Sequence, residues 1–139
     1  MKLLLSSLIL LICLSSYSQE SMRRWRKMNQ VRSDKFDLVL PEAMRENNID
    51  MWIVTNREGN FDPLYADMGE GYVGSNGYYI FTDKGGDRIE RAVLGISGYL
   101  LEEGGTYDYF GSADELKTFV EARNPKKIGL NISKNMGGA

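Results

Sequence analysis

Histidine is absent from this chain, and its single cysteine, Cys13, lies in an apolar N-terminal run. Ser-His-Asp and Cys-His catalysis are therefore excluded within these 139 residues, as is any metal site built from imidazole or thiolate. Carboxylates, guanidinium groups and phenols are what remains for chemistry, and they gather in one place. From Asn56 to Ser75 the chain carries Asn56, Arg57, Glu58, Asn60, Asp62, Tyr65, Asp67 and Glu70, with Gly59, Pro63, Gly69, Gly71 and Gly74 among them. Asp62, Asp67 and Glu70 are oxygen donors of the kind calcium or magnesium takes, but their spacing is not that of an EF-hand loop. Gly69-Glu70-Gly71-Tyr72-Val73-Gly74 spells a G-x-G-x-x-G string. A dinucleotide fingerprint needs a strand before it and a helix after it. Here a loop precedes and a strand follows, so loop flexibility is the better explanation. Irregular segments approaching about 20 residues are uncommon in a compact domain unless they act. A ligand-contacting loop and a solvated connection whose charges pair among themselves are both open at this point.

The element that must position this loop is the stretch Asn48-Ile49-Asp50-Met51-Trp52-Ile53-Val54-Thr55. An unbroken apolar run bounded by turn residues suits a strand buried on both faces, and hence a sheet covered by helices on two sides. The loop leaves the C-terminal end of that strand, the edge where open α/β sheets usually place ligands.

Ahead of the strand, Trp25, Met28 and Val31 form a narrow stripe on a leading helix; its Arg23, Arg24, Arg26 and Lys27 read first as a solvated face and second as a nucleic-acid or lipid patch. Ser33 reads as the N-cap of a second helix that buries Phe36, Val39, Leu40, Ala43 and Met44. Pro41 kinks that helix or restarts it from its own first turn, and Asn47-Asn48 ends it with one residue left-handed. Beyond the loop, Tyr78–Thr82 is a strand, Asp83–Asp87 a hairpin turn and Arg88–Leu94 a returning strand. The alternation of Ile89, Arg91 and Val93 with Arg88, Glu90 and Ala92 places the start of that strand at a sheet edge, charges outward. Ile96, Tyr99 and Leu100 then form a short helix stopped by Gly104-Gly105, and Thr106–Phe110 a short strand. Ser112-Ala113-Asp114-Glu115 is a capping box, opening a helix that buries Leu116, Phe119 and Val120 and stops before Pro125. Lys126–Asn131 is the last strand. Hairpin-linked strands are antiparallel and helical crossovers favour parallel pairing. The expected fold is α/β, one domain with a mixed five-stranded sheet and helices on both faces.

Residues 1–18 have one cation, an apolar core from Leu3 to Leu14 and small residues at Ser16 and Ser18, the pattern of a secretory signal peptide cleaved after Ser18. The apolar run is about 12 residues where roughly 20 are needed to span a bilayer, so no stable membrane insertion is expected. Export implies a secreted or periplasmic domain, residues 19–139, with no cysteine left for a disulfide. Its 16 Lys and Arg against 19 Asp and Glu give no case, as an overall balance, for nucleic acid or an acidic membrane surface as partner.

Arg32–Val54, with Tyr78-Tyr79-Ile80-Phe81-Thr82-Asp83 and Lys127-Ile128-Gly129-Leu130-Asn131, resembles the creatinase/prolidase N-terminal domain, most closely that of Xaa-Pro aminopeptidase-like metallopeptidases. Asn48 stands where glycine is common in that family, a departure that a left-handed turn tolerates. The resemblance covers nearly all of residues 19–139 and implies a mixed five-stranded sheet of ribonuclease H-like motif, flanked by helices. It further implies a non-catalytic domain that walls the active-site mouth and makes homo-oligomer contacts. A C-terminal pita-bread domain would follow it, holding two divalent metal ions through two Asp, one His and two Glu beyond Ala139. Within this chain the resemblance leaves no catalytic or metal residue to assign, and Arg57, Asp62 and Tyr65 are the candidates for mouth or interface contacts. A stand-alone binding or oligomerisation module, and the first domain of a creatinase-like hydrolase acting on a non-peptide substrate, are the other readings.

Overall fold

A computed structural model describes the backbone of residues 2–131 and the side chains of residues 19–131. The side chains of residues 1–18, on which the signal-peptide expectation falls, and all of residues 132–139 lie outside the described residues. The chain is α/β, with a five-stranded sheet in the order β4-β3-β2-β1-β5. The strands are β1 (Met51–Arg57), β2 (Tyr72–Thr82), β3 (Glu90–Ser97), β4 (Tyr109–Gly111) and β5 (Ile128–Leu130). Pairing of β1 with β2 and of β2 with β3 is antiparallel, whereas β5 lies parallel to β1 and β4 parallel to β3. This is the mixed sheet expected from one hairpin followed by two crossovers.

Two unequal layers of helix cover it. On one face α1 (Lys2–Leu38), α2 (Leu40–Glu46), α3 (Tyr65–Met68) and α4 (Tyr99–Glu103) enclose Phe36, Met44, Val54, Tyr79, Phe81, Val93 and Leu101. On the other, α5 (Leu116–Arg123) lays Phe119 over Met51, Ile53, Ile80, Ala92 and Leu94. Met51, Val54, Tyr79, Ile80 and Phe81 are fully buried, so β1 and β2 are interior on both faces, as their unbroken apolar runs require.

Local signals explain several boundaries. Pro41 occupies the first turn of α2, where its missing N–H costs nothing, and the break from α1 falls just before it. Asn48 is left-handed at φ 52°, and the Ile49 N–H reaches back to Met44 O at 2.8 Å, closing a Schellman-type stop. Both halves of the Ser112–Glu115 capping box are made, ahead of α5. Asp50 then joins the sheet's first and last strands: its Oδ2 accepts the Lys126 and Lys127 N–H groups at 2.7 and 3.0 Å.

Other expectations are corrected. Ser33 is not an N-cap but sits inside α1, its Oγ 3.4 Å from Thr106 Oγ1. The face of α1 that meets the sheet is Trp25, Asn29, Arg32, Ser33 and Phe36, rotated from the predicted stripe, and Met28 and Val31 are exposed. Val39 and Ala43 are also exposed, because the helix breaks at Val39 and α2 starts afresh at Leu40 with Pro41 in its first turn. β3 is an interior strand rather than an edge, and its Arg91 is only 2% exposed. Burial is tolerated because Arg91 Nη2 bonds the Asp37 carboxylate, Nη1 donates to Thr106 O at 3.3 Å, and the guanidinium lies 5.3 Å from the Phe36 ring. Ile96 belongs to β3 rather than to the helix after it, and β4 starts at Tyr109 rather than Thr106.

The largest correction concerns the loop. β1 runs on to Arg57 and β2 starts at Tyr72, so the connection shrinks to residues 58–71. Gly74-Ser75-Asn76-Gly77 is a bulge within β2, four residues set against Gly95 alone on β3, while Asn76 and Gly77 still pair with β1. Gly95 has φ 68°, and a Cβ there would come within 2.5 Å of Asn76 O, so only glycine fits.

One ion pair carries a pH prediction. Arg123 clamps Glu90 through two bonds of 2.6 and 2.9 Å, joining α5 to β3, and Lys84 adds a third at 2.9 Å. The Arg123 hydrogen bond, with help from Lys84, holds the Glu90 carboxyl below its ordinary value. A depressed folded-state pKa stabilises the fold above the unfolded value of about 4.3 and loses that contribution as pH falls through the lower folded value. Glu90→Gln should therefore cost about 1 kcal/mol near neutral pH. Urea unfolding of variant and wild type should converge in acid.

Candidate functional site

The carboxyl ends of β1 and β5 lie side by side, and the 58–71 connection folds over them. Its first turn is a tight hairpin: Arg57 and Asn60 exchange backbone hydrogen bonds of 3.3 and 3.0 Å across Glu58-Gly59, with Gly59 at φ 72°. The chain then turns inward at Asp62, which is 3% exposed. Asp62 Oδ1 accepts the Leu64 N–H at 2.8 Å, an Asx turn that leads into α3. Asp62 Oδ2 accepts from Asn131 Nδ2 at 3.2 Å, and Asn131 Oδ1 accepts the Trp52 indole N–H at 3.0 Å. From the strand side, Asn56 Oδ1 accepts the Asp62 N–H at 3.0 Å. That bond sets the amide's orientation and leaves Asn56 Nδ2 fully buried with no partner among the described residues.

The rest of the connection is held by phenols. Tyr65 OH donates to Gly71 O and accepts the Gly71 N–H at 2.9 Å. Tyr79 OH donates to Gly69 O, Tyr107 OH to Met68 O at 2.6 Å, and Arg32 Nε to Asp67 O at 2.7 Å. Burial pushes the Tyr79 and Tyr107 phenols well above the ordinary tyrosine range, so they stay protonated donors. The connection is long because it is built as a braced cap.

The three candidate residues thus lie at one edge, Arg57 ending β1 and Asp62 and Tyr65 in the connection after it, but play unlike parts. Tyr65 spends its hydroxyl on the loop itself, and Asp62 divides its carboxylate between the loop and Asn131 beyond β5. Arg57 is exposed, and its guanidinium has no partner among the described residues. Phe61, 44% exposed and stacked on Tyr65 at 4.4 Å, presents an apolar ring beside it. Among the described residues, what this edge offers a ligand is the Arg57 guanidinium, the neighbouring exposed Glu58 carboxylate and the Phe61 ring. Among the described residues no three of His, Cys, Asp or Glu converge to hold a metal ion; Asp67 and Glu70 do not join Asp62.

Sequence reasoning missed Asn131 and Trp52. A Trp in a half-buried strand position needs an acceptor for its indole N–H, and that requirement was the available signal. Asn131, 79 residues away, could be found only through the parallel register that sets Ile53 opposite Leu130.

Asp62→Ala would strand the Asn131 amide and the Leu64 N–H. A cost of about 1–3 kcal/mol is expected, with faster hydrogen exchange at Leu64 and Tyr65 than at the β2 amides.

Comparison with protein-family models, curated proteins and solved structures finds no match to this chain. Among the described residues no helix is long and apolar enough to cross a membrane.

Proposed function

We propose that this chain is the non-catalytic N-terminal domain of a secreted Xaa-Pro aminopeptidase-like metallopeptidase. In this reading the 58–71 cap walls the mouth of an active site carried by a pita-bread domain that follows Ala139. The observation that carries the proposal is the braced cap at the carboxyl ends of β1 and β5. Four buried or half-buried side chains (Asn56, Asp62, Asn131 and Trp52) hold its base, so Arg57 and Phe61 are presented on a rigid turn. Rigid placement costs little entropy on binding. The resemblance of residues 32–54, 78–83 and 127–131 to the creatinase/prolidase N-terminal domain supplies the family. The dinuclear metal belongs to the following domain, and this chain's part is to shape access and contribute to dimer contacts.

A second reading, a stand-alone module that binds or oligomerises, draws on the open edge of the sheet. Among the described residues β5 has a neighbour on one side only, and its Ile128 and Leu130 are 41% and 52% exposed. Reading the coding frame downstream of the Ala139 codon separates the two. An open frame carrying spaced Asp, Asp, His, Glu and Glu supports the peptidase. An immediate stop codon leaves the module.

A further inference from the structure

The basic stretch of α1 is not explained by the site above. Its inner face, Trp25, Asn29, Arg32, Ser33 and Phe36, is committed to the body of the domain: Asn29 Nδ2 donates to Gly104 O at 2.6 Å and Arg32 to Asp67 O. Turned away from the body, at helical spacing, are Arg23, Arg24, Lys27 and Val31, beside a Gln30–Asp34 hydrogen bond of 2.7 Å; on the flank nearer the body Lys35 pairs with Asp67 at 3.7 Å and Met28 lines a cleft with Trp25, Glu70 and Leu101. Met28 is 54% and Val31 39% exposed, so apolar side chains lie beside these cations at the surface. Arg23 and Arg24 share Glu20, while Arg26 and Lys27 have no partner among the described residues. The charge is also segregated. Residues 19–35 hold six cations and two carboxylates, whereas residues 36–139 hold ten cations and seventeen carboxylates. A domain acidic overall thus presents one basic, partly apolar helix face.

We infer that this outer face of α1 docks on an anionic phospholipid surface, peripherally and reversibly. Clustered Lys and Arg on a helix face draw it to anionic headgroups, and exposed apolar residues between them enter the acyl boundary. Charge complementarity favours this partner, and the exposed Met28 and Val31 favour lipid over a nucleic-acid backbone, which rewards charge without needing an apolar face. The acidic remainder of the domain is repelled by the same surface, which leaves α1 as the contact.

The test is vesicle sedimentation of the full chain. One set of vesicles is phosphatidylcholine alone, and the other carries about a quarter phosphatidylglycerol. The expected result is binding to the second set only, weakened about tenfold or more by high salt. Arg24→Glu with Lys27→Glu should also weaken it about tenfold or more, with unchanged circular dichroism because both side chains are on the surface. Equal binding to both sets, binding that survives the charge reversal, or no binding at all would overturn the inference. So would lipid-free self-association that the same double variant abolishes, since the acidic body of a second copy would then be the occupant.

Discussion

Phe81→Ala should cost about 3–5 kcal/mol, a large part of the stability of a domain this size. Phe81 is fully buried in β2 and is the hub of an aromatic cluster. Its ring centroid lies 4.8 Å from Phe36 on α1, 5.2 Å from Trp52 on β1 and 6.5 Å from Tyr107. Truncation removes the surface on which α1 packs and opens a cavity that a rigid sheet cannot collapse. Trp52 also loses its stacking partner, so the link to Asn131 and Asp62 should loosen with it. Urea unfolding followed by tryptophan fluorescence reads both effects. A cost under about 1 kcal/mol would mean that α1 is not packed on this face.

The second large effect is an asymmetry between two members of one ion pair. Arg91 is 2% exposed and the Asp37 side chain 48%. Burial pulls the Arg91 guanidinium below its ordinary pKa, and Arg88 adds to this, with Asp37 acting in the opposite direction. Asp37→Ala leaves a buried cation whose remaining hydrogen bond runs to Thr106 O, and should cost about 3 kcal/mol. Arg91→Met fills the same space without a charge and lets Asp37 hydrate, so about 1 kcal/mol or less is expected. Chemical denaturation of both variants decides the matter. Equal costs would show that Asp37 contributes through something other than Arg91.

The parts of the fold legible in the sequence were those where a local signal and the tertiary environment agree. Met51–Val54 and Tyr79–Phe81 are apolar and interior. Pro41, Asn48 and the Ser112–Glu115 box each close a helix end by chemistry confined to a few residues. Elsewhere, long-range packing overrode the local pattern. Gly74-Ser75-Asn76-Gly77 has turn composition yet lies within a strand, because β1 pairs with it on one side while Gly95 makes room on the other. Arg91 alternates like an exposed edge residue and is buried, because its partner Asp37 stands 54 positions away on α1. The inner face of α1 carries Asn29, Arg32 and Ser33, polar groups matched to Gly104, Asp67 and Thr106, so hydrophobic periodicity pointed to the wrong side of the helix.

The candidate site followed the same division. That a polar connection leaves the end of β1 was visible in residue types alone. Which of its residues are braces was not, because Asp62 is fixed by Asn131 and Tyr65 by the Gly71 backbone. Once those bonds are drawn, Arg57, Glu58 and Phe61 are, among the described residues, exposed groups of that turn left for a partner.

The peptidase reading is tested most directly by hydrolysis. The product of the complete reading frame would be given a peptide with proline in its second position, after chelation and after return of manganese. The account predicts release of the N-terminal residue only with metal present, with Arg57→Ala raising KM more than it lowers kcat. A product that leaves the peptide intact with manganese, cobalt or zinc restored would contradict it.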